Sequence, residues 1–481
     1  MCGIVGVIGS PEAPIISYYA LHALQHRGQE ASGIISRKIE NKKAHFSIIK
    51  GEGLVSEVFH NFDVWGKILE GNACIGHNRY STSGEGSRKN MQPFLVNYHQ
   101  GNLAVAHNGN LSNSFKLRDR MSNEGAIFQT TSDTEVILHL IAKSKFEKQT
   151  DQIIDTLKQI EGAFSLVVLT DTMLIGARDP FGFRPLCLGR KNGAFIITSE
   201  TCALDINVAE FIRDINPGEM VIIPDGATSL DEIISIQFDE RKPKLRQCIF
   251  EYIYFTRPDS KIFGNNVDKM RRRLGKVLAR KYPVTDPDGE RVIVISVPDS
   301  SNTTALGYEN ELKKMGIASK YELGLIRSHY IGRTFIYPNQ QSREIGVRIK
   351  FNTVKGVLEN KTVVVVDDSI VRGTTSLQLI NLIREAKPKS IHMRVSSPPI
   401  LYPCFYGMDF PSREELIAHR LKGDISAIRE YVSADTLEYL TIPEMLSILS
   451  DDIPDNYCTT CFSGEYPTTI DTHFTKDIYE V

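Results

Sequence analysis

Residues 362–375 read Thr-Val-Val-Val-Val-Asp-Asp-Ser-Ile-Val-Arg-Gly-Thr-Thr. The run 362–366 is wholly β-branched, the pattern of a strand buried on both faces rather than one with a wet side. It opens into an acidic pair, a turn containing Gly373, and a helical pattern that puts Leu379, Ile380 and Ile383 on one face and ends before Pro388. A second compact run, 291–297, is also followed by a helical pattern. The C-terminal half is therefore read as an α/β domain with a doubly wound, mostly parallel sheet.

The loop at 367–375 has chemistry of its own. Lying between a buried strand and a helix N-terminus, it offers backbone N–H groups to a phosphate; Gly373 permits close approach, and Thr374 and Thr375 add hydroxyls. Asp367 and Asp368 would repel a phosphate but suit sugar hydroxyls or a Mg2+ ion. Together the two ends imply a phosphorylated sugar. An ordinary strand-to-helix turn with capping carboxylates explains a bare acidic pair equally well, but not Arg372, Gly373 and two threonines in register with it.

Outward from this motif, the N-terminal half has a different rhythm. Short strands are expected at 3–9, 44–50, 73–77, 102–107, 163–169, 173–178 and 194–199, with helices at 15–25, stopped by Gly28, and at 133–143, capped by Ser132. This is an α+β layered domain. The polar stretch 224–246 is taken as a junction. The expected divisions are 2–235, 236–450 and a tail at 451–481.

The 481 residues carry 56 Lys plus Arg against 58 Asp plus Glu, so no net field favours nucleic acid or an anionic membrane. With no secretory pattern and no apolar run of membrane-spanning length, a cytoplasmic enzyme is expected. Cys2 follows Met1 directly. Once that methionine is removed, the thiol stands beside its own α-amine, a nucleophile with a built-in base. Cys458 and Cys461 form C-x-x-C, a chelating pair for which zinc and iron–sulfur are equally open from spacing alone. Cys74, Cys187 and Cys202 lie in apolar, strand-like settings and are read as core.

Val363 to Thr375 resembles the phosphoribosyl diphosphate (PRPP) signature of type I phosphoribosyltransferases, and within them the glutamine-dependent amidophosphoribosyltransferases. The resemblance extends through Cys2-Gly3-Ile4, Gln25-His26-Arg27-Gly28-Gln29, Gly76-His77-Asn78-Arg79-Tyr80, Ala106-His107-Asn108-Gly109-Asn110, Thr130 to Glu135, Glu251-Tyr252-Ile253-Tyr254-Phe255 and Gly332-Arg333-Thr334-Phe335. It implies an N-terminal-nucleophile glutaminase of layered α/β/β/α form ahead of the phosphoribosyltransferase domain. It further implies that Cys2 attacks glutamine, Asn108 and Gly109 form the oxyanion hole, and Arg27, Arg79 and Asp133 hold the amino acid. PRPP would be held by Asp367, Asp368, Ser369, Arg372, Gly373, Thr374, Thr375 and Arg333, with Mg2+ on Ser300, Asp367 and Asp368. The basic segment 327–352 resembles a closing loop. An ammonia passage near Tyr254 would join the sites, since free ammonia is protonated and lost in water. By the same resemblance Cys248, Cys404, Cys458 and Cys461 carry a [4Fe–4S] cluster, purine nucleotides inhibit, and the enzyme is a homotetramer or another homo-oligomer.

Two other readings compete. Amidotransferases that make glucosamine phosphate, asparagine or glutamate share the Cys2 domain but do not need the run at 363–375. A non-catalytic nucleotide sensor would keep that run but has no need of Cys2, Asn108 and Asp133, all of which are present.

Overall fold

The computed structural model describes residues 1–80, 88–241, 243–328, 350–410, 412–449 and 454–470. In the N-terminal half two antiparallel sheets face each other. The first, with seven described strands, has Gly3–Ile8 near its middle, paired with Ala73–Arg79 on one side and Ala194–Thr198 on the other. The second, with six, is centred on Met173–Arg178 and Gly162–Thr170, and the latter pairs on its other side with Gly101–Leu111. Ile4, Ile35 and Ile75 of the first sheet pack on Ala104, Val167 and Leu169 of the second in one dry layer. Helix Ala13–Ala23 covers the outer face of the first sheet, and Thr134–Lys143 with Gln149–Gln159 covers that of the second. The four-layer α/β/β/α arrangement follows because each sheet needs both faces buried.

Three local expectations are revised. Helix Ala13–Ala23 ends before Gly28, which is extended; a Cβ there would come within 2.6 Å of the Arg79 carbonyl, so this glycine brings the 25–28 turn against Arg79. Ser132 Oγ does accept the Thr134 N–H at 3.3 Å, but the N-cap position belongs to Asp133, whose carboxylate turns away to the Leu111 N–H at 2.9 Å. The polar junction contains an edge strand, Ile234–Gln237, paired with Glu219–Pro224; its largely exposed side chains hide it in the sequence.

In the C-terminal half five parallel strands run in the order Ser319–Tyr321, Val292–Ser296, Thr362–Asp367, Ser390–Val395, Thr436–Tyr439. Val364 and Val366 face helices Val267–Lys281 and Asn302–Lys314, while Val363 and Val365 face Thr374–Arg384 and Ile425–Val432. All four valines are essentially inaccessible, each contributing roughly 1.5–3 kcal/mol of burial.

The halves are stitched at several points. Cys248 pairs in parallel register with Cys458. Asn110 Nδ2 donates to Phe405 O at 3.0 Å, Arg184 Nε donates to Tyr406 O at 3.0 Å, and the Phe183 and Tyr406 rings stack at 4.2 Å. Among the described residues no helix is long and apolar enough to cross a membrane.

Candidate active sites

Cys2 lies at the entry to the central strand Gly3–Ile8 and is buried. Its backbone N–H donates to Asn108 Oδ1 at 3.0 Å, and its thiol points to Tyr80 O at 3.6 Å. Asn108 is inaccessible and its Nδ2 has no hydrogen-bond partner among the described residues. Next to it, Gly109 adopts φ +156, and a Cβ there would stand 2.0 Å from Ala163 O, so only glycine leaves this backbone where it is. Met1 is buried in the apolar cluster that includes Cys248, Ile249 and Phe250. Burial lowers the pKa of the Met1 amine to about 5.

Asp133 is placed beside this group by its bond to Leu111, three residues past Asn108 on the same strand. Burial alone would raise its pKa, but His107 Nδ1, 3.7 Å away, and the Leu111 N–H outweigh it, so the carboxyl sits below its usual range. Arg79 closes the strand Ala73–Arg79 and is 6% exposed.

Arg27 is expected in the amino-acid pocket, and the structure gives it another task. Its Nε donates to Cys2 O at 3.0 Å, while Nη1 and Nη2 are taken by Glu200 and Glu251 at 2.6–3.0 Å. All three side chains are inaccessible. Burial would lower the Arg27 pKa, but the two carboxylates overcome this and raise it. The guanidinium therefore fixes the Cys2 backbone. Arg184 also reaches Glu251, at 3.4 Å. Glu200, Glu251 and Arg184 are missed by motif reading; a lone carboxylate inside the apolar run 249–255 is the signal for Glu251.

In the second site Asp367 ends its strand and Asp368 follows, both less than 10% exposed. Ser300 Oγ donates to Asp368 Oδ2 at 2.5 Å, and Ser369 Oγ to its Oδ1 at 2.6 Å. Burial raises the pKa of both carboxyls, and Asp368 raises that of Asp367 further. Gly373 is the N-cap of helix Thr374–Arg384 at φ +79, and a Cβ would meet Ile417 Cδ1 at 2.4 Å. Thr374 and Thr375 are exposed at the helix start, and Arg372 pairs with Glu415 at 2.8 Å on the surface. Strands Leu325–Arg327 and Phe351–Thr353 pair as the root of the basic segment, and Arg327 reaches Asp299 at 2.9 Å. Arg333 lies outside the described residues. Tyr254 is 42% exposed, with its ring against Phe255 at 5.2 Å.

The last group is the cysteines. Cys248 and Cys458 face one another across paired strands, and Cys461 lies in the turn that follows. Leu401 and Tyr402 donate to Cys461 O, which brings Cys404 alongside. None of the four is in a disulfide. Burial pushes the Cys248 thiol up to about 12 and raises those of Cys458 and Cys461, and charge on the neighbouring cysteines raises all three further. Among the described residues no three or more His, Cys, Asp or Glu side chains form a group that could hold a metal ion. Cys74, Cys187 and Cys202 are buried, as expected of core.

The comparisons with known proteins decide the family. A chloroplastic amidophosphoribosyltransferase of Vigna aconitifolia is 48% identical over 97% of this chain and 91% of its own length. The chain belongs to the amidophosphoribosyltransferase family. The Bacillus subtilis amidophosphoribosyltransferase is 46% identical over 98% of this chain and 94% of its own. The solved glutamine PRPP amidotransferase of B. subtilis, complexed with ADP and GMP, superposes with a TM-score of 0.88 at 44% identity, covering 98% of this chain and 99% of that one. Residues 77–205 match the model of a glutamine amidotransferase domain. In this family the α/β/β/α half and the parallel-sheet half are the glutaminase and phosphoribosyltransferase units.

Proposed function

We propose that this member of the family takes ammonia from glutamine at Cys2 and delivers it to C1 of PRPP, giving 5-phosphoribosylamine, glutamate and pyrophosphate, the first step of purine nucleotide synthesis. The observation that carries the reading is the pairing of Cys2 N with Asn108 Oδ1 while Asn108 Nδ2 stays buried and, among the described residues, unpartnered. Release of Met1 turns that nitrogen into an α-amine held against the carbonyl oxygen, beside the thiol whose proton it takes. The thiolate attacks the side-chain amide. Asn108 Nδ2 and the Gly109 N–H receive the oxyanion, the amine returns its proton to departing ammonia, and water cleaves the thioester. Asp133, held ionised, suits the glutamine ammonium, and Arg79 suits its carboxylate.

At the second site the helix N-terminus with Thr374 and Thr375 is suited to the 5-phosphate, and Asp367 and Asp368 to the ribose hydroxyls. The crowding of two buried carboxyls with the Ser300 hydroxyl fits a divalent cation, since a positive charge relieves what burial and mutual repulsion impose on them. Mg2+ bound there would neutralise the departing diphosphate. Ammonia is already a nucleophile, so the protein's work is alignment and exclusion of water. Arg333 and the segment 327–352 would cover the sugar, and Tyr254 would border the passage between the sites.

By the resemblance Cys248, Cys404, Cys458 and Cys461 would carry a [4Fe–4S] cluster, although as they stand no three of them form a group that could hold a metal ion. Cys248 and Cys458 sit on paired strands beside the Arg184 guanidinium, and burial opposes deprotonating these thiols without a positive charge at hand. The cluster would be a structural clamp. Anaerobic reconstitution should give a brown protein with four irons and four sulfides per chain; a colourless protein binding zinc would overturn the assignment. Purine nucleotides as feedback inhibitors, a homotetramer or other homo-oligomer, and a cytoplasmic setting complete the proposal. The nucleotides draw support from the relative complexed with ADP and GMP. The test of the whole is Cys2→Ser, assayed with PRPP and either glutamine or ammonium. Glutamine-dependent pyrophosphate release should vanish and ammonium-dependent release persist. Loss of both, or of neither, would refute the reading.

A further inference from the structure

We propose that Arg271 is a positioning residue for the coupled reaction, its guanidinium clamping the 252–256 peptide strip, which is linked to Cys2, to the Ser300 loop of the second site. The inference rests on the two-site function proposed above.

Helix Val267–Lys281 turns an apolar stripe of Val267, Met270, Leu274 and Leu278 to the core, and Arg271 lies within that stripe at 1% exposure. A guanidinium there is tolerated only if its N–H groups are satisfied. It reaches four carbonyls: Nε donates to Tyr252 O at 2.7 Å, Nη2 to Tyr254 O and Thr256 O at 2.8 Å each, and Nη1 to Ser300 O at 3.2 Å. The rigid fork of arginine suits this task, because the single nitrogen of lysine cannot span both segments at once.

The strip 252–256 touches the nucleophile by two routes. The Phe255 ring lies against Tyr80 at 6.2 Å, and Tyr80 O accepts from the Cys2 thiol. Thr256 Oγ1 donates to Glu251 Oε2 at 2.6 Å, Glu251 pairs with Arg27, and Arg27 donates to Cys2 O. On the far side, Ser300 Oγ bonds to Asp368. The backbone between the two sites is thus tied to both, and Arg271 bonds the strip to Ser300. Without its fork, the strip and the Ser300 loop separate independently, and nitrogen freed at Cys2 escapes to solvent before it reaches the sugar.

The test uses the full-length protein and Arg271→Lys, which keeps the charge and loses the fork. Glutamate and pyrophosphate release are measured together, with PRPP, magnesium and glutamine present. The parent should release them one to one, and the variant should release glutamate in about twofold or greater excess whatever its absolute rate. A ratio that stays at one with glutamine- and ammonium-dependent rates falling together would overturn the proposal. A parent that makes neither product would instead sink the function itself. Should Arg271→Lys and Arg271→Gln both fail to fold, hydrogen exchange on the parent decides. PRPP with magnesium should slow amides at 252–257 together with those at 299–302; protection confined to 299–302 and 367–375 would refute the clamp.

Discussion

Replacing Asn108 separates the two jobs of one amide. In the resting structure its Oδ1 is occupied by Cys2 N at 3.0 Å, and its Nδ2 is buried without a partner among the described residues. An unmet buried donor costs roughly 1–3 kcal/mol, a penalty lifted only when an oxyanion arrives. Loss of such a donor typically costs about 2.7–4 kcal/mol in the transition state, or on the order of 10²–10³ in kcat. Asn108→Asp keeps the shape and the acceptor toward Cys2 but has no donor when ionised, so glutamine kcat should fall at least about a hundredfold, with KM changed less than about threefold. Asn108→Ala loses both functions and should fall further. The assay is initial-rate glutamate release, with ammonium-dependent pyrophosphate release by the same preparation as the internal standard. Equal loss of both activities, or a kcat within about tenfold of the parent, would show that Asn108 is a packing residue and that the oxyanion is met elsewhere.

Other perturbations have equally definite outcomes. Glu251→Gln removes a buried carboxylate shared by Arg27 and Arg184 and should cost about 3 kcal/mol or more by chemical denaturation, against less than about 1 kcal/mol for Glu415→Gln at the exposed pair with Arg372; equal shifts would discount the buried network. Gly373→Ala forces a Cβ at φ +79 into Ile417 and should raise the KM for PRPP by about tenfold in the ammonium reaction, glutamine hydrolysis without PRPP being spared. His77, inaccessible on the strand Ala73–Arg79 and paired with Ile4, has its pKa lowered by burial from 6.5 to about 3. The unfolded chain therefore binds more protons than the folded one as pH falls below 6.5, and stability drops with it. At pH 5 the loss is about 2 kcal/mol, and His77→Gln should abolish that share of the acid sensitivity in unfolding curves at pH 7 and pH 5.

What the sequence disclosed was local. The strand, acidic pair, glycine turn and helix at 362–383 are contiguous, so their periodicity and turn chemistry need no tertiary knowledge, and the fold of the second half follows from them. Cys2 was legible because it follows Met1. The partners of Arg27 were not, because Glu200 and Glu251 lie 173 and 224 residues away and charge alone cannot distinguish a ligand-binding arginine from a paired one. Arg271 left a trace as the single cation inside an apolar helical stripe, which motif matching passes over. The edge strand Ile234–Gln237 was hidden because a half-wet strand has the composition of a linker.

The seam at Glu251 limits how far the two halves can be shuffled. Glu251 neutralises arginines of the glutaminase, yet it sits a few residues from the strip gripped by the helix of the other half, and the 404–408 segment returns from far along the chain to seat on the first sheet pair. A recombinant that grafts the glutaminase onto a foreign acceptor enzyme by a crossover ahead of Glu251 would strand Arg27 and Arg184 without their shared anion, and one made just after it would still lose the bonds to Phe405 and Tyr406. The exchangeable unit is discontinuous, and chimeras must transplant the 247–260 and 402–408 ribbons with the first half for it to remain soluble and active.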